Sequence, residues 1–129
     1  NVDLTYRLHG AVNRRDLVGF LSLVDTDVEF TPYQVAIEGG EPYRGHGGVR
    51  HWWADAIADS PDLRAELDEV RDHGDVILVH GRLGGRDAES GVSFERTLWA
   101  AIEWRDKHVI WWHAFTSEAQ ALEAVGLRA

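Results

Sequence analysis

The chain has no cysteine. That removes disulfides, thiolate nucleophiles and cysteine-ligated metal sites in one step. Methionine is also absent, even at the first position, which points to a start after a trimmed leader. Lysine is reduced to Lys107, and the other basic residues are arginines, a bias of composition rather than the mark of a site. Positive charge is in deficit, with 13 Lys and Arg against 22 Asp and Glu and a net charge of -9. Phosphate binding needs a basic footprint, so nucleic acid is excluded as a main partner and an anionic membrane surface is not suggested. No apolar run approaches the roughly 20 residues of a membrane span, and no signal-peptide pattern is visible. A cytoplasmic location is expected. What remains, 44% hydrophobic and 27% charged in 129 residues, fits one globular domain over residues 1–129 with a core of its own.

The most informative stretch is a pair of aromatic runs, Phe94 to Trp104 and His108 to Phe115, joined by a short polar turn. Four of the six tryptophans lie here: Trp99, Trp104, Trp111 and Trp112. Aromatic and β-branched residues suit a pleated, half-buried surface, so the runs read as adjacent antiparallel strands. Large apolar residues fall on both alternation parities, which predicts that both faces are covered. One face should look into a core or pocket, the other onto a helix or a second subunit.

Upstream, Leu4, Leu8, Ala11 and Val12 recur at helical spacing and predict a helix over residues 3–14. Asp16 can cap a shorter helix carrying Leu17, Phe20, Leu21 and Val24. Val28 to Ala36 reads as a strand that Pro32 confines to an edge or bulge. Glu38 to Gly45 reads as loop, with room for a short returning strand. Gly47-Gly48 opens a third helix to about Ala58, stopped by Pro61. A hairpin follows, Leu63 to Arg71 and Val76 to Leu83, and residues 84–91 form a flexible connector. Ser117 and Gln120 make a capping box for a last helix ended by Gly126. The order predicts an α+β fold with a strongly bent sheet.

Three phrases, NRRDLVGFLSLVDTDVEFTPY, EPYRGHGGVRHWW and ERTLWAAIEWRDKHVIWWHAFTS, resemble the SnoaL-like branch of the nuclear transport factor 2-like superfamily. The resemblance runs from about Leu4 to Gly126. It implies a cone: a curved antiparallel sheet wrapped around N-terminal helices, with an internal pocket between the concave face and the first and third helices. It also implies dimerisation through the convex face, here Trp99, Trp111 and Phe115. Such proteins include polyketide cyclases, ketosteroid isomerase and limonene epoxide hydrolase, so the fold alone does not settle function. The isomerase catalytic aspartate, tyrosine and general base correspond to Ala100, Leu8 and Thr31. The epoxide hydrolase Arg-Asp pair corresponds to Gly81 and Leu83, and its second aspartate to Ala114. Neither set is present, and the replacements are mostly small or apolar.

Among polar candidates, His113 depends on register. With a strict two-residue turn at Asp106-Lys107 it faces Ala100 and could serve as a general acid or base. With a bulge, Ala100 pairs with Trp112 and His113 turns to the outer face, since one residue of slip inverts every side chain. The family resemblance favours the bulge. His9, one turn from Tyr6, is expected to be a partly exposed helix histidine, with the pocket mouth as the alternative. Tyr33 is either a ligand-orienting hydroxyl or a boundary tyrosine. His46/His51 and His108/His113, each five apart, put no two imidazoles on one face, so no metal is expected, and no cofactor either. The expected ligand contacts are Tyr33, Trp53, Leu83, Ala100, Trp112 and Ala114.

Two functions remain open. One is a pocket protein for a small apolar molecule without a catalytic set. The other is an isomerase, cyclase or hydrolase using His113, His9 or Tyr33. A third outcome, a collapsed cone filled by Trp53, Trp104 and Trp112, is decided by pocket volume.

Overall fold

The computed structural model describes residues 1–128. Ala129, the last residue of the expected domain, lies outside the described residues. The elements are α1 (Val2–Asn13), α2 (Leu17–Ser22), β1 (Val24–Thr31), α3 (Tyr33–Glu38), β2 (Tyr43–Arg44), α4 (Gly45–Asp59), β3 (Arg64–His73), β4 (Val76–Arg86), β5 (Ser93–Arg105), β6 (His108–Phe115) and α5 (Glu118–Arg128). The strands form one six-stranded sheet in the order β2-β1-β6-β5-β4-β3. The α+β fold with a curved sheet around N-terminal helices is as expected. Its pairs are antiparallel except β1 with β6, which run parallel. No helix among the described residues is long and apolar enough to cross a membrane.

Several boundaries differ from the sequence reading, each for a local reason. Val24 begins β1 rather than closing α2, and β1 stops at Thr31. Residues 33–38, expected as the end of a strand and the start of a loop, form α3 with Pro32 as its N-cap. A proline has no N–H for a strand ladder, but a helix start leaves its first amides without intrahelical partners, so nothing is lost there. Strand β4 continues to Arg86, paired with Ser93, so the first three residues of the expected flexible connector, 84–86, belong to the sheet. The remainder is tightened by Asp87, whose Oδ1 accepts from the amides of Glu89 (3.0 Å) and Ser90 (2.8 Å). Asp16 caps α2 as expected, accepting from Gly19 N–H at 2.9 Å. Helix α5 starts at the expected box, Gln120 N–H donating to Ser117 Oγ at 3.2 Å, but runs through Gly126 to Arg128. An interior glycine costs a helix only about 1 kcal/mol relative to alanine. Arg128 fixes the last turn through Glu103 at 2.7 Å.

The β5–β6 connection combines the two registers weighed above. Asp106 (φ 50°) and Lys107 (φ 66°) form a two-residue turn closed by Arg105 opposite His108. The ladder then jumps from Trp104–Val109 to Glu103–Trp111, leaving Ile110 as an extra residue on β6. Ala100 therefore lies opposite Ala114, not Trp112 or His113, and His113 lies opposite Ala101.

Both sheet faces are covered. The concave side holds the main core, including Leu8, Val28, Trp53, Ile77, Ile102 and Trp104. On the convex side, Val76, Leu78, Ala101 and Trp111 pack with Ala121 and Val125 of α5. The apolar anchors of α5 are small, and its two ends are pinned by arginines. Arg71 reaches Glu118 at 3.0 Å and lies 5.2 Å from the Trp99 ring centroid. Arg128 lies 3.9 Å over Trp111. The convex face expected to bury Trp99, Trp111 and Phe115 against a second subunit is thus partly occupied by the chain's own helix, which buries Trp111.

Gly81 is set by close approach. A Cβ there would collide with the Glu66 carbonyl, beside the β3 bulge between Leu67 and Glu69. Gly47, on α4, meets nothing within 4 Å. The two positions should respond to alanine with opposite signs. Gly81→Ala should lower unfolding stability by about 1–3 kcal/mol through overpacking. Gly47→Ala should raise it by roughly 0.5–1 kcal/mol through helix propensity. Urea denaturation of the two variants checks both.

Candidate functional site

A cavity of about 520 Å³ opens between the concave sheet face and the helices. Its aromatic wall comes from β1, α4 and β6: Phe30 lies 4.6 Å from Trp52 at 65° and 4.9 Å from Trp112 at 42°. The facing wall is aliphatic, with Leu67 of β3, Val79 and Leu83 of β4, and Leu98 of β5. Tyr33 and Tyr43 line it as well, and Phe94 adds a further ring. The collapsed-cone alternative does not hold. Trp53 and Trp104 are in the core, but they leave this space open.

His9 of α1 lines the cavity and is 8% exposed. The expectation of a partly exposed helix histidine is corrected: residue 9 falls on the buried stripe with Thr5, Leu8 and Val12. Its Nδ1–H donates to the Thr5 carbonyl at 2.8 Å. That fixes the tautomer and leaves a lone pair on Nε2, which accepts a long 3.4 Å hydrogen bond from Trp112 Nε1–H. Thr5, fully buried, is itself held by Trp104, whose Nε1–H donates to Thr5 Oγ1 at 3.1 Å. Burial pushes the His9 imidazole below its ordinary value, and the Thr5 hydrogen bond offsets this only partly. His9 is therefore a neutral acceptor at neutral pH.

The other expected site residues divide cleanly. Tyr33, Leu83 and Trp112 line the same cavity as His9. Trp53 does not: it faces the core 5.4 Å from Phe20, and its neighbour Trp52 takes the cavity wall, about 100° further round the helix. Ala100 and Ala114 share the concave face but are fully buried opposite each other at the centre of the sheet, where a methyl group does not reach the cavity. His113 lies on the opposite side of the sheet from His9 and Tyr33, because the Ile110 bulge turns it outward with Ala101. There it stacks on Phe115 at 4.5 Å and 21°, beside a separate crevice between α3, β6 and α5. It cannot act with His9. Phe30, Phe94 and Leu98 were not singled out from the sequence as cavity residues, and of the Trp52-Trp53 pair, only one of which can face inward, the sequence reading took Trp53. For Phe94 and Leu98 the signal existed, since both share the parity of Ala100 on β5.

The model of the SnoaL-like domain matches residues 6–116. The chain belongs to that family. Solved structures with the same fold include an NTF2-like protein of unknown function from Burkholderia pseudomallei, 21% identical with a TM-score of 0.78 over 96% of this chain and 95% of its own. IdmH from Streptomyces antibioticus, a candidate polyketide cyclase, is 21% identical with a TM-score of 0.77 and 97% of each chain covered. TerC, co-crystallised with polyporic acid, is 20% identical with a TM-score of 0.77, again over 97% of each chain. At these identities the likeness is one of fold. A comparison with curated proteins finds no match.

The buried imidazole gives this SnoaL-like domain a defined acid sensitivity. The folded value of His9 lies below the 6.5 of an unburied histidine, so the unfolded chain takes up this proton first as pH falls. Its contribution to stability is complete above about pH 6.5 and is lost progressively below it. The urea midpoint should fall more between about pH 7.5 and pH 5.5 in the wild type than in His9→Gln. The six other histidines are common to both proteins and cancel in the difference.

Proposed function

We propose that this SnoaL-like domain binds one small, mainly apolar molecule in the cavity, anchored by a hydrogen bond to Nε2 of His9. The observation that carries the reading is a buried acceptor at the wall of a cavity of about 520 Å³, engaged among the described residues only by a 3.4 Å contact from Trp112. That volume falls within the range of small-molecule pockets, and an apolar lining with a few placed polar groups is their usual design. The ligand-bound neighbour TerC and the candidate cyclase IdmH support a small-molecule cavity in this fold. The catalytic positions known from isomerase and epoxide hydrolase relatives hold Leu8, Thr31, Gly81, Leu83, Ala100 and Ala114, which favours binding without those chemistries.

A second reading is favoured by the His9 tautomer. With Nδ1–H committed to Thr5, Nε2 is the nitrogen that takes a proton from a bound substrate, once its long contact from Trp112 gives way, as an isomerase or cyclase would require. Burial makes the resulting imidazolium costly, so the substrate proton would have to be acidic, as at a position next to a carbonyl.

Calorimetric titration with a panel of aromatic and alicyclic small molecules tests the first reading. Binding should be saturable in the wild type and lost in Leu83→Trp, which fills the aliphatic wall. Equal heats in both proteins would refute it. The second reading requires turnover that disappears in His9→Gln while binding stays within about tenfold. Pairing of two copies through the part of the convex face that α5 leaves open, around Trp99 and Phe115, is a separate proposal. A Trp99→Arg change should then convert a sedimenting dimer into a monomer.

A further inference from the structure

We propose that the cavity's ligand is a protonated amine with at least one N–H, carried on an apolar body the size of one or two rings. The proposal rests on the binding role of the cavity. Three independent features converge on it.

The first is the aromatic wall. Phe30 stands between Trp52 and Trp112, tilted at 65° to one and 42° to the other. The three rings come from three elements and line one space, and the π systems of such a wall attract an ammonium group once water is excluded. The second is the polarity of His9. Its only N–H is spent on the Thr5 carbonyl, so in neutral form it has no donor for a ligand, and its one acceptor, Nε2, is held by the long Trp112 contact that a ligand N–H displaces. An ammonium N–H can satisfy that acceptor, and a carboxylate oxygen cannot. A quaternary ammonium lacks the hydrogen, which limits the class to primary, secondary and tertiary amines.

The third feature is the charge at the mouth. Glu38, Asp59 and Asp87 line it, and Arg96 is the cation that answers them. Arg82 also borders the cavity, but its guanidinium is held by Asp68 at 3.0 Å. By register, Arg82 and Glu66 oppose each other on the convex side of the hairpin. The excess of carboxylates at the mouth, in a chain of net charge -9, raises the local concentration of cations and repels anions. Arg96 has no carboxylate within ion-pair distance among the described residues. It is the group through which an anionic ligand would bind instead.

Four probes on one skeleton separate these outcomes: 2-naphthylmethylamine, its N,N,N-trimethylammonium derivative, 2-naphthalenemethanol and 2-naphthoate. Each is titrated into the full chain by calorimetry at about pH 7.5, where His9 is neutral. The amine should bind at least about tenfold more tightly than the alcohol, with the trimethylammonium derivative weaker than the amine and the carboxylate weakest. Exchanging the mouth carboxylates, Glu38→Gln with Asp59→Asn, should weaken the amine by about threefold to tenfold and leave the alcohol unchanged. Both positions are exposed, so this variant should fold normally. An alcohol as tight as the amine, or a carboxylate tightest and abolished by Arg96→Ala, would overturn the amine proposal while leaving the cavity a binding site. No heat from any probe, in wild type and Leu83→Trp alike, would overturn the binding role and the amine with it.

Discussion

One unpaired residue, Ile110, decides which way every later side chain of β6 points. The turn at Asp106-Lys107 would by itself carry His113 to the concave face. The ladder instead skips Ile110 two pairs after the turn, so Trp112 faces the cavity and Trp111 and His113 face outward. Both outcomes are energetically consistent because both faces have something to bury against. The concave side offers Phe30 and the helices, the convex side the small residues of α5. A strand with a solvated face would have its register fixed by hydrophobicity alone. A strand as apolar as β6 on both parities needs the bulge to choose.

The choice of register creates the polar chemistry of the cavity. Trp112 faces inward and meets Nε2 of His9, while Trp104 holds Thr5, whose carbonyl fixes the His9 tautomer. Two indoles from adjacent strands therefore set one imidazole on the first helix. Trp104 is buried and Trp112 partly so, and each indole N–H has a protein partner, as a buried tryptophan needs. The arrangement leaves the weakest of these hydrogen bonds, at 3.4 Å, at the wall where a ligand would compete for it.

Much of the architecture was legible from local signals. Periodicity found α1, capping found α2 and the start of α5, and the aromatic alternation found β5 and β6 nearly to the residue. The failures share a cause. Pro32, Gly126 and Gly84–Gly85 are breakers by propensity, and each sits where tertiary context makes the break harmless or moves it. Pro32 starts a helix, Gly126 is held by the Arg128–Glu103 pair, and the two glycines are paired in β4. For the site, Tyr33, Leu83 and Trp112 were within reach. Trp53, Ala100 and Ala114 were misplaced because helix phase and depth in a sheet are not local properties.

The sequence by itself determined the α+β class, the two-sided aromatic hairpin, the family, and the absence of the isomerase and epoxide hydrolase residues. Each of these is written in residue identity and spacing. Only the tertiary structure decided that His9 is buried, that His113 is outside, and that Trp52 rather than Trp53 lines the cavity. Those outcomes depend on a single-residue bulge, on helix rotation, and on the desolvation of an imidazole by residues up to 103 positions away. Burial is a property of the assembled fold, and no window of local sequence contains it.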